Sequence, residues 1–139
     1  MKFETAEDRA TERRVFDYME RCWNCNIIQL PEYSAIDGMI YNHDNTLTCL
    51  LEFRSYTRSH PMFLFNEDKR NHMLQLSELL KVPALFIARH NDPRTLLYID
   101  VSEEPDEIEV GFERNNPHPD NYPQNVVKYK YERWSKISK

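Results

Sequence analysis

"YSAIDGMIY" (Tyr33–Tyr41) and "TLTCLLEFR" (Thr46–Arg54) flank the turn-rich tetrad "NHDN" and read together as a β-hairpin. The second run is apolar for most of its length, yet it ends on Glu52 and Arg54, which lie two apart and so on the same side of a strand. A strand expected to be buried therefore presents an acid and a base side by side. Turn length decides what lies opposite them. A two-residue turn (Asp44-Asn45) sets Asp37 directly against Glu52. A four-residue turn (Asn42–Asn45) makes them diagonal neighbours, with Asp37 facing Leu50. Either even loop leaves both carboxylates on one face, within roughly 5–8 Å of each other. Like charges that close repel, which favours a bound cation or a raised pKa on one of them. Oxygen-only ligands suit Mg²⁺, which takes one or two carboxylates and keeps several waters. Gly38, directly after Asp37, leaves room for a ligand to approach the backbone.

Working outward, Thr5 can cap a helix running to about Trp23, with Val15, Phe16, Met19, Cys22 and Trp23 as its buried stripe. "NIIQL" (Asn26–Leu30) is a short strand stopped by Pro31, and "SYTRSHPM" (Ser55–Met62) reads as a loop. Asn66 caps a second helix, followed by Glu67 and Asp68 in its first turn and running to about Lys81. "VPALFIAR" (Val82–Arg89) is a continuous apolar strand, as expected where both faces of a sheet are covered. "HNDP" turns the chain into "RTLLYIDV" (Arg94–Val101). The order helix, three strands, helix, strand, strand makes an α/β sandwich in which strand 46–54, helix 66–81 and strand 82–89 form a right-handed parallel βαβ unit. After the acidic "EEPDEIEVGFE" (Glu103–Glu113), "NNPHPDNYP" (Asn115–Pro123) reads as a linker, and "NVVKYKY" (Asn125–Tyr131) as a last edge strand.

Composition narrows the function classes. At 139 residues the chain is most economically one domain. Only two glycines, Gly38 and Gly111, are present, too few for a phosphate-cradling P-loop or a dinucleotide fingerprint. The common routes to ATP and NAD are excluded with them. No run of about 18 apolar residues offers a membrane helix, and "MKFETAEDRA" has no signal-peptide core, so a cytoplasmic location is expected. Net charge is −5, but "KYKYERWSKISK" (Lys128–Lys139) interleaves bases with Tyr129, Tyr131 and Trp134 and offers local basic surface. Cys22 and Cys25 form a CxxC at the wrong end of a helix for a redox motif, and Cys49 alone does not complete a zinc site. Buried thiols at a helix end are the expectation. His43, His60, His72, His90 and His118 are scattered, four of them in expected loops or turns, and carry no assigned role.

Two more charged residues occupy positions that the pattern wants apolar. Met73, Leu76 and Leu80 form the inward stripe of the second helix, and one turn back it reaches Lys69. Extending Phe16, Met19 and Trp23 back one turn reaches Glu12. Long side chains at stripe ends often snorkel to water, which explains each residue singly. Glu12, Asp37, Glu52, Arg54 and Lys69 together are better explained as a set that pairs up or holds metal, because unpaired buried charges cost several kcal/mol.

"IDG" (Ile36–Gly38) and "EFR" (Glu52–Arg54), set between a Glu-bearing helix and a Lys-bearing helix, resemble the PD-(D/E)XK nuclease superfamily, above all its small phage-type and Holliday-junction-resolvase-like members. The resemblance implies a restriction-endonuclease-like αβββαβ core over about residues 5–101, its mixed central sheet flanked by helices. The acidic and Pro/Asn-rich stretch 102–124 and the basic aromatic segment 125–139 follow it in the same domain. It implies a Mg²⁺- (or Mn²⁺-) dependent nuclease acting on DNA, with Asp37 and Glu52 as metal ligands and Glu12 as an auxiliary acid. Arg54 stands where the motif carries the lysine that orients and activates water. A guanidinium stays protonated and cannot act as a base, although it can stabilise charge developing on phosphate. Some members move that lysine to the following helix, where Lys69 stands here. Arg58 and Arg70 are candidates to contact nucleic acid, and Ile36 replaces the motif's proline. Many relatives pair to cut both strands, so a homodimer fits, as does a host-cytoplasmic location for a phage-encoded protein. Two rivals remain: a nuclease fold that has lost its chemistry and binds nucleic acid or a protein, and a purely structural ion-pair network around Glu52 and Arg54.

Overall fold

Helix α1, Ala6–Trp23, buries Glu12, Val15, Phe16 and Met19 at helical spacing, and Cys22 and Trp23 lie half-buried at its end. It covers one face of a six-stranded sheet. The computed structural model describes residues 6–32, 34–56, 62–91, 94–112 and 124–138. The expected Thr5 cap, Arg58, His60, His118 and the 115–123 linker lie outside them.

Strands β1 (Asn26–Gln29), β2 (Gly38–Tyr41) and β3 (Leu47–Tyr56) form an antiparallel meander. Helix α2 (Glu67–Leu80) carries the chain over to β5 (Ala84–Asn91), which pairs parallel with β3 as a βαβ unit requires. Asn66 is its N-cap, accepting from the Lys69 N–H at 3.1 Å. β6 (Arg94–Asp100) then runs antiparallel to β5. The sheet is mixed, in the order β1-β2-β3-β5-β6-β9, where β9 is Ser135–Lys136. Of the stripe expected on α2, Met73 is fully buried and Leu76 packs at the core edge, whereas Leu80 is exposed.

The hairpin reaches its register by an unexpected route. Tyr41 pairs with Leu47, so five residues (42–46) lie between the strands, an odd number. Asn42 holds this loop by accepting from the N–H groups of Asp44 and Thr46 at 3.2 and 3.0 Å, and Asn45 takes a left-handed φ of 67°. The register then slips between Ile40 and Tyr41, leaving Thr48 as an extra residue, so that Ile40 faces Cys49 and Gly38 faces Leu51. Odd loop and bulge cancel, and the expected face for Asp37 is recovered although the even loop is not.

The second half of the chain departs from the sequence expectation. Strand β4, Met62–Asn66, begins at the last residue of the expected loop and covers a stretch for which no strand is expected, and Glu107–Phe112 in the acidic stretch is β7. Gln124–Lys130 is β8, which lies between them in a separate three-stranded sheet rather than at an edge. The physical reason is alternation in β4 and β8: Phe63, Phe65, Val127 and Tyr129 are buried together against Phe86, Ile99 and Met73. Phe65 stacks on Phe86 with ring centroids 3.9 Å apart, which locks this sheet beneath the main one. The basic aromatic segment is therefore only partly open surface: Tyr129 and Trp134 are core residues, whereas Lys130 and Lys136 are exposed. Its bases meet the acidic stretch: Lys128 lies 2.7 Å from Glu109, and Arg133 lies 3.2 Å from both Glu103 and Asp106. His90 belongs to β5, not to a turn, and is fully buried against the rings of Phe63 and Tyr131.

Candidate active site

Gly38 has no side chain to separate β2 from α1, and the Phe16 ring fills that space: a Cβ on Gly38 would stand 3.0 Å from Phe16 Cε2 and 3.2 Å from the Ile28 carbonyl. With α1 seated this closely, the chain just before Gly38 is pinned from both sides. Leu30 N–H donates to the Asp37 carbonyl at 2.9 Å, and Asp37 N–H donates to the Leu51 carbonyl at 3.0 Å. The Asp37 carboxylate then accepts the Phe53 N–H at 2.8 Å through Oδ2. Its backbone bond to Leu51 and its side-chain bond to Phe53 bracket Glu52 between them. Asp37 and Glu52, 4% and 5% exposed, are thus two buried acids brought side by side.

Alternation along β3 sends Leu50 into the core beneath α2, and Glu52 and Arg54 follow it to that face. Lys69 comes down from the first turn of α2, where the Asn66 cap sets the start of the helix and hence its direction. Its Nζ lies 3.7 Å from Glu52 Oε1 and donates to the Ala35 carbonyl at 2.7 Å. One ammonium therefore ties the acid on β3 to the segment that carries Asp37. Lys69 is the more open member of the group, its side chain 23% exposed against 6% for Glu52.

Arg54 goes elsewhere. Its guanidinium carbon stands 5.7 Å from the centroid of the Phe65 ring, a cation–π contact with the second sheet. Arg70 Nε donates to the Val101 carbonyl and to the Tyr129 hydroxyl, both at 3.0 Å, and its NH2 to the Glu103 carbonyl at 3.2 Å, so it braces the turn after β6. Glu12 reaches the sheet from the α1 side, where Gln29 Nε2 donates to its Oε1 at 3.0 Å and to the Arg9 carbonyl at 3.0 Å. Gln29 pairs with Gly38, so Glu12 is held one residue from Asp37 on the neighbouring strand.

Gln29, Phe65 and the Ala35 carbonyl escaped sequence reasoning. A glutamine in the strand "NIIQL" is a usable signal for the first; the other two act through backbone or from a strand that no local pattern announces. Cys22, Cys25 and Cys49 are free thiols; the two at the end of α1, expected to be buried, are half-buried, and Cys49 is buried in β3. Burial, then Glu20, raises the pKa of Cys25, and burial, helped by Asp100, pushes Cys49 up to about 12, the opposite of a reactive thiolate.

Among the described residues no three His, Cys, Asp or Glu side chains converge on a metal position. Two buried carboxylates, one just before β2 and one on β3, nevertheless fit a hard divalent cation, which can take two such ligands and fill its shell with water. The arrangement offers an oxygen-rich cation site with an ammonium beside it. Among the described residues no helix is long and apolar enough to cross a membrane.

Comparison with curated proteins finds no match. Among solved structures the fold resembles that of Hjc, a Holliday junction resolvase from the archaeal hyperthermophile Archaeoglobus fulgidus, with a TM-score of 0.64 and 11% identity over 95% of this chain and 93% of that one. The family model described as phage putative PDDEXK endonuclease matches residues 1–114, which hold α1, the hairpin, Asp37, Glu52 and Lys69. The chain belongs to that phage PDDEXK endonuclease family.

Proposed function

We propose that this protein is a Mg²⁺- or Mn²⁺-dependent nuclease that hydrolyses phosphodiester bonds in DNA. The observation that carries the reading is the Lys69 ammonium beside Glu52, on the acid that Asp37 brackets. Asp37 and Glu52 would hold the cation, which when bound lowers the pKa of water and offsets charge on the scissile phosphate. Lys69 keeps an ammonium next to Glu52 and can hold an attacking water by hydrogen bond while donating to charge that develops on phosphate. The Phe53 N–H fixes Asp37 in orientation before any ligand arrives. Glu12, fixed by Gln29, is the auxiliary acid at the strand end. Arg54, on its Phe65 platform, is placed to meet phosphate oxygens rather than to take a proton.

The test is cleavage of plasmid and linear DNA by purified protein with Mg²⁺ or Mn²⁺. Wild type should cut, and Asp37→Ala and Glu52→Ala should each abolish cutting. Equal activity in all three would trace the cleavage to a contaminant and sink the reading. Binding without cutting by wild type would favour the inactive nuclease-fold module instead.

A further inference from the structure

Helix α1 separates its charges into two flanks. On one, Arg13 bonds Asp17 at 2.9 Å and Glu20 at 3.3 Å, and Glu20 also accepts the Ile27 N–H at 2.7 Å, so these acids are consumed against β1. On the other, Arg14, Tyr18 and Arg21 follow one another at helical spacing. This second flank forms one wall of a cavity of about 520 Å³. Arg89 from β5, Thr95 from β6, Lys136 from β9 and Ser138 complete its polar lining, which contains no carboxylate side chain. Its apolar floor, Val15, Leu96 and Ile137, belongs to the core on the α1 side of the sheet, whereas Glu52 and Lys69 lie on the other side.

We propose that this groove is a second nucleic-acid contact, binding the phosphodiester backbone away from the acid pair. The inference rests on the nuclease reading for its ligand and on the groove alone for its location. On a protein of net charge −5, a concave surface lined by four cations and no acid is a local inversion of the field. Guanidinium groups match phosphate oxygens two at a time, and a duplex presents a charge about every 1.7 Å along its axis. Cations spread over a helix, the sheet and the C-terminal strand suit a run of phosphates better than a single ion. Arg21 already lies 5.8 Å above the Tyr18 ring and Arg89 has a protein partner, whereas Arg14 and Lys136 are exposed. Among the described residues Arg14 donates only to the Thr11 hydroxyl on the same helix, at 3.0 Å, so these two carry the prediction.

The experiment measures binding of a labelled DNA duplex against salt concentration, using the full chain with Asp37→Ala in EDTA so that nothing is cut. Adding Arg14→Ala and Lys136→Ala should flatten the slope of log K against log salt by about 1.8, at ~0.9 per lost phosphate contact. Lys81→Ala with Lys130→Ala removes the same charge elsewhere and should leave the slope unchanged. An unchanged slope in the groove variant, or equal flattening in both pairs, overturns the proposal. So does saturable binding of inorganic phosphate in the groove that leaves duplex binding untouched, which would make it a small-anion site. Unaltered melting temperatures confirm that each pair still folds. The outcome is separate from the nuclease reading: wild-type cleavage with no groove effect sinks the groove alone, and a groove effect without cleavage sinks the nuclease alone.

Discussion

Lys69 Nζ stands 3.7 Å from Glu52 Oε1, joining the first turn of a helix to the middle of a strand. Arg54, two residues past Glu52, turns instead to Phe65. The cation beside Glu52 thus comes from the following helix.

Rate measurements on two variants assign the roles. Lys69→Met should slow cleavage by roughly 10²–10⁴-fold, the range typical for a group that handles a proton or positions water. Arg54→Met should cost less, roughly ten- to a hundredfold, as expected for losing one charge-assisted hydrogen bond to phosphate. A reversed ranking in single-turnover assays would hand the role to Arg54.

Cation binding should be visible without catalysis. A ligand that binds only the folded state at 100 times its Kd adds about 2.7 kcal/mol of stability. Wild type should therefore melt at a higher temperature in Mg²⁺ or Mn²⁺ than in EDTA, and Asp37→Asn should lose that increment. Identical shifts in the two proteins would place the cation somewhere other than on the acid pair.

Gly38→Ala should destabilise the protein by about 1–3 kcal/mol, because the new methyl meets the buried Phe16 ring and the Ile28 carbonyl in a packed core. Combining it with Phe16→Leu should recover part of the loss relative to the sum of the singles, since the ring is the nearer obstacle. Strict additivity in urea unfolding would mean that the two residues do not press on each other.

Cys49 sets an alkaline limit. Its thiol is pushed from 9.0 to about 12 by burial, so the folded state favours the neutral form. That contribution is fully present below about pH 9 and drains away as pH rises from there toward 12, because the unfolded thiol ionises first. The stability advantage of wild type over Cys49→Val should accordingly shrink across this window. Parallel stability curves from pH 8 to 11 would refute the claim. Tyr129, raised by burial, acts in the same direction but is common to both proteins.

Whatever rests on short-range periodicity was legible in the residues alone. Both helices, the Asn66 cap, the hairpin, the βαβ order and the charged stripe ends at Glu12 and Lys69 follow from spacings of two, three and four residues, which local backbone geometry enforces. Tertiary structure decided what depends on partners distant in the chain. β4 is a strand because Met62–Asn66 pairs with Val126–Lys130, and no local signal announces a ladder across so many residues. That pairing buries Tyr129, brings Phe65 under Arg54, and turns a basic tail into one side of an ion-paired sheet. The acid pair lies between these cases. Its face was legible from parity, but the structure arrives there through an odd loop and a compensating bulge. The hydrogen bonds that set Asp37 astride Glu52 exist only because α1 presses Phe16 onto Gly38 while β1 and β3 hold the chain on either side.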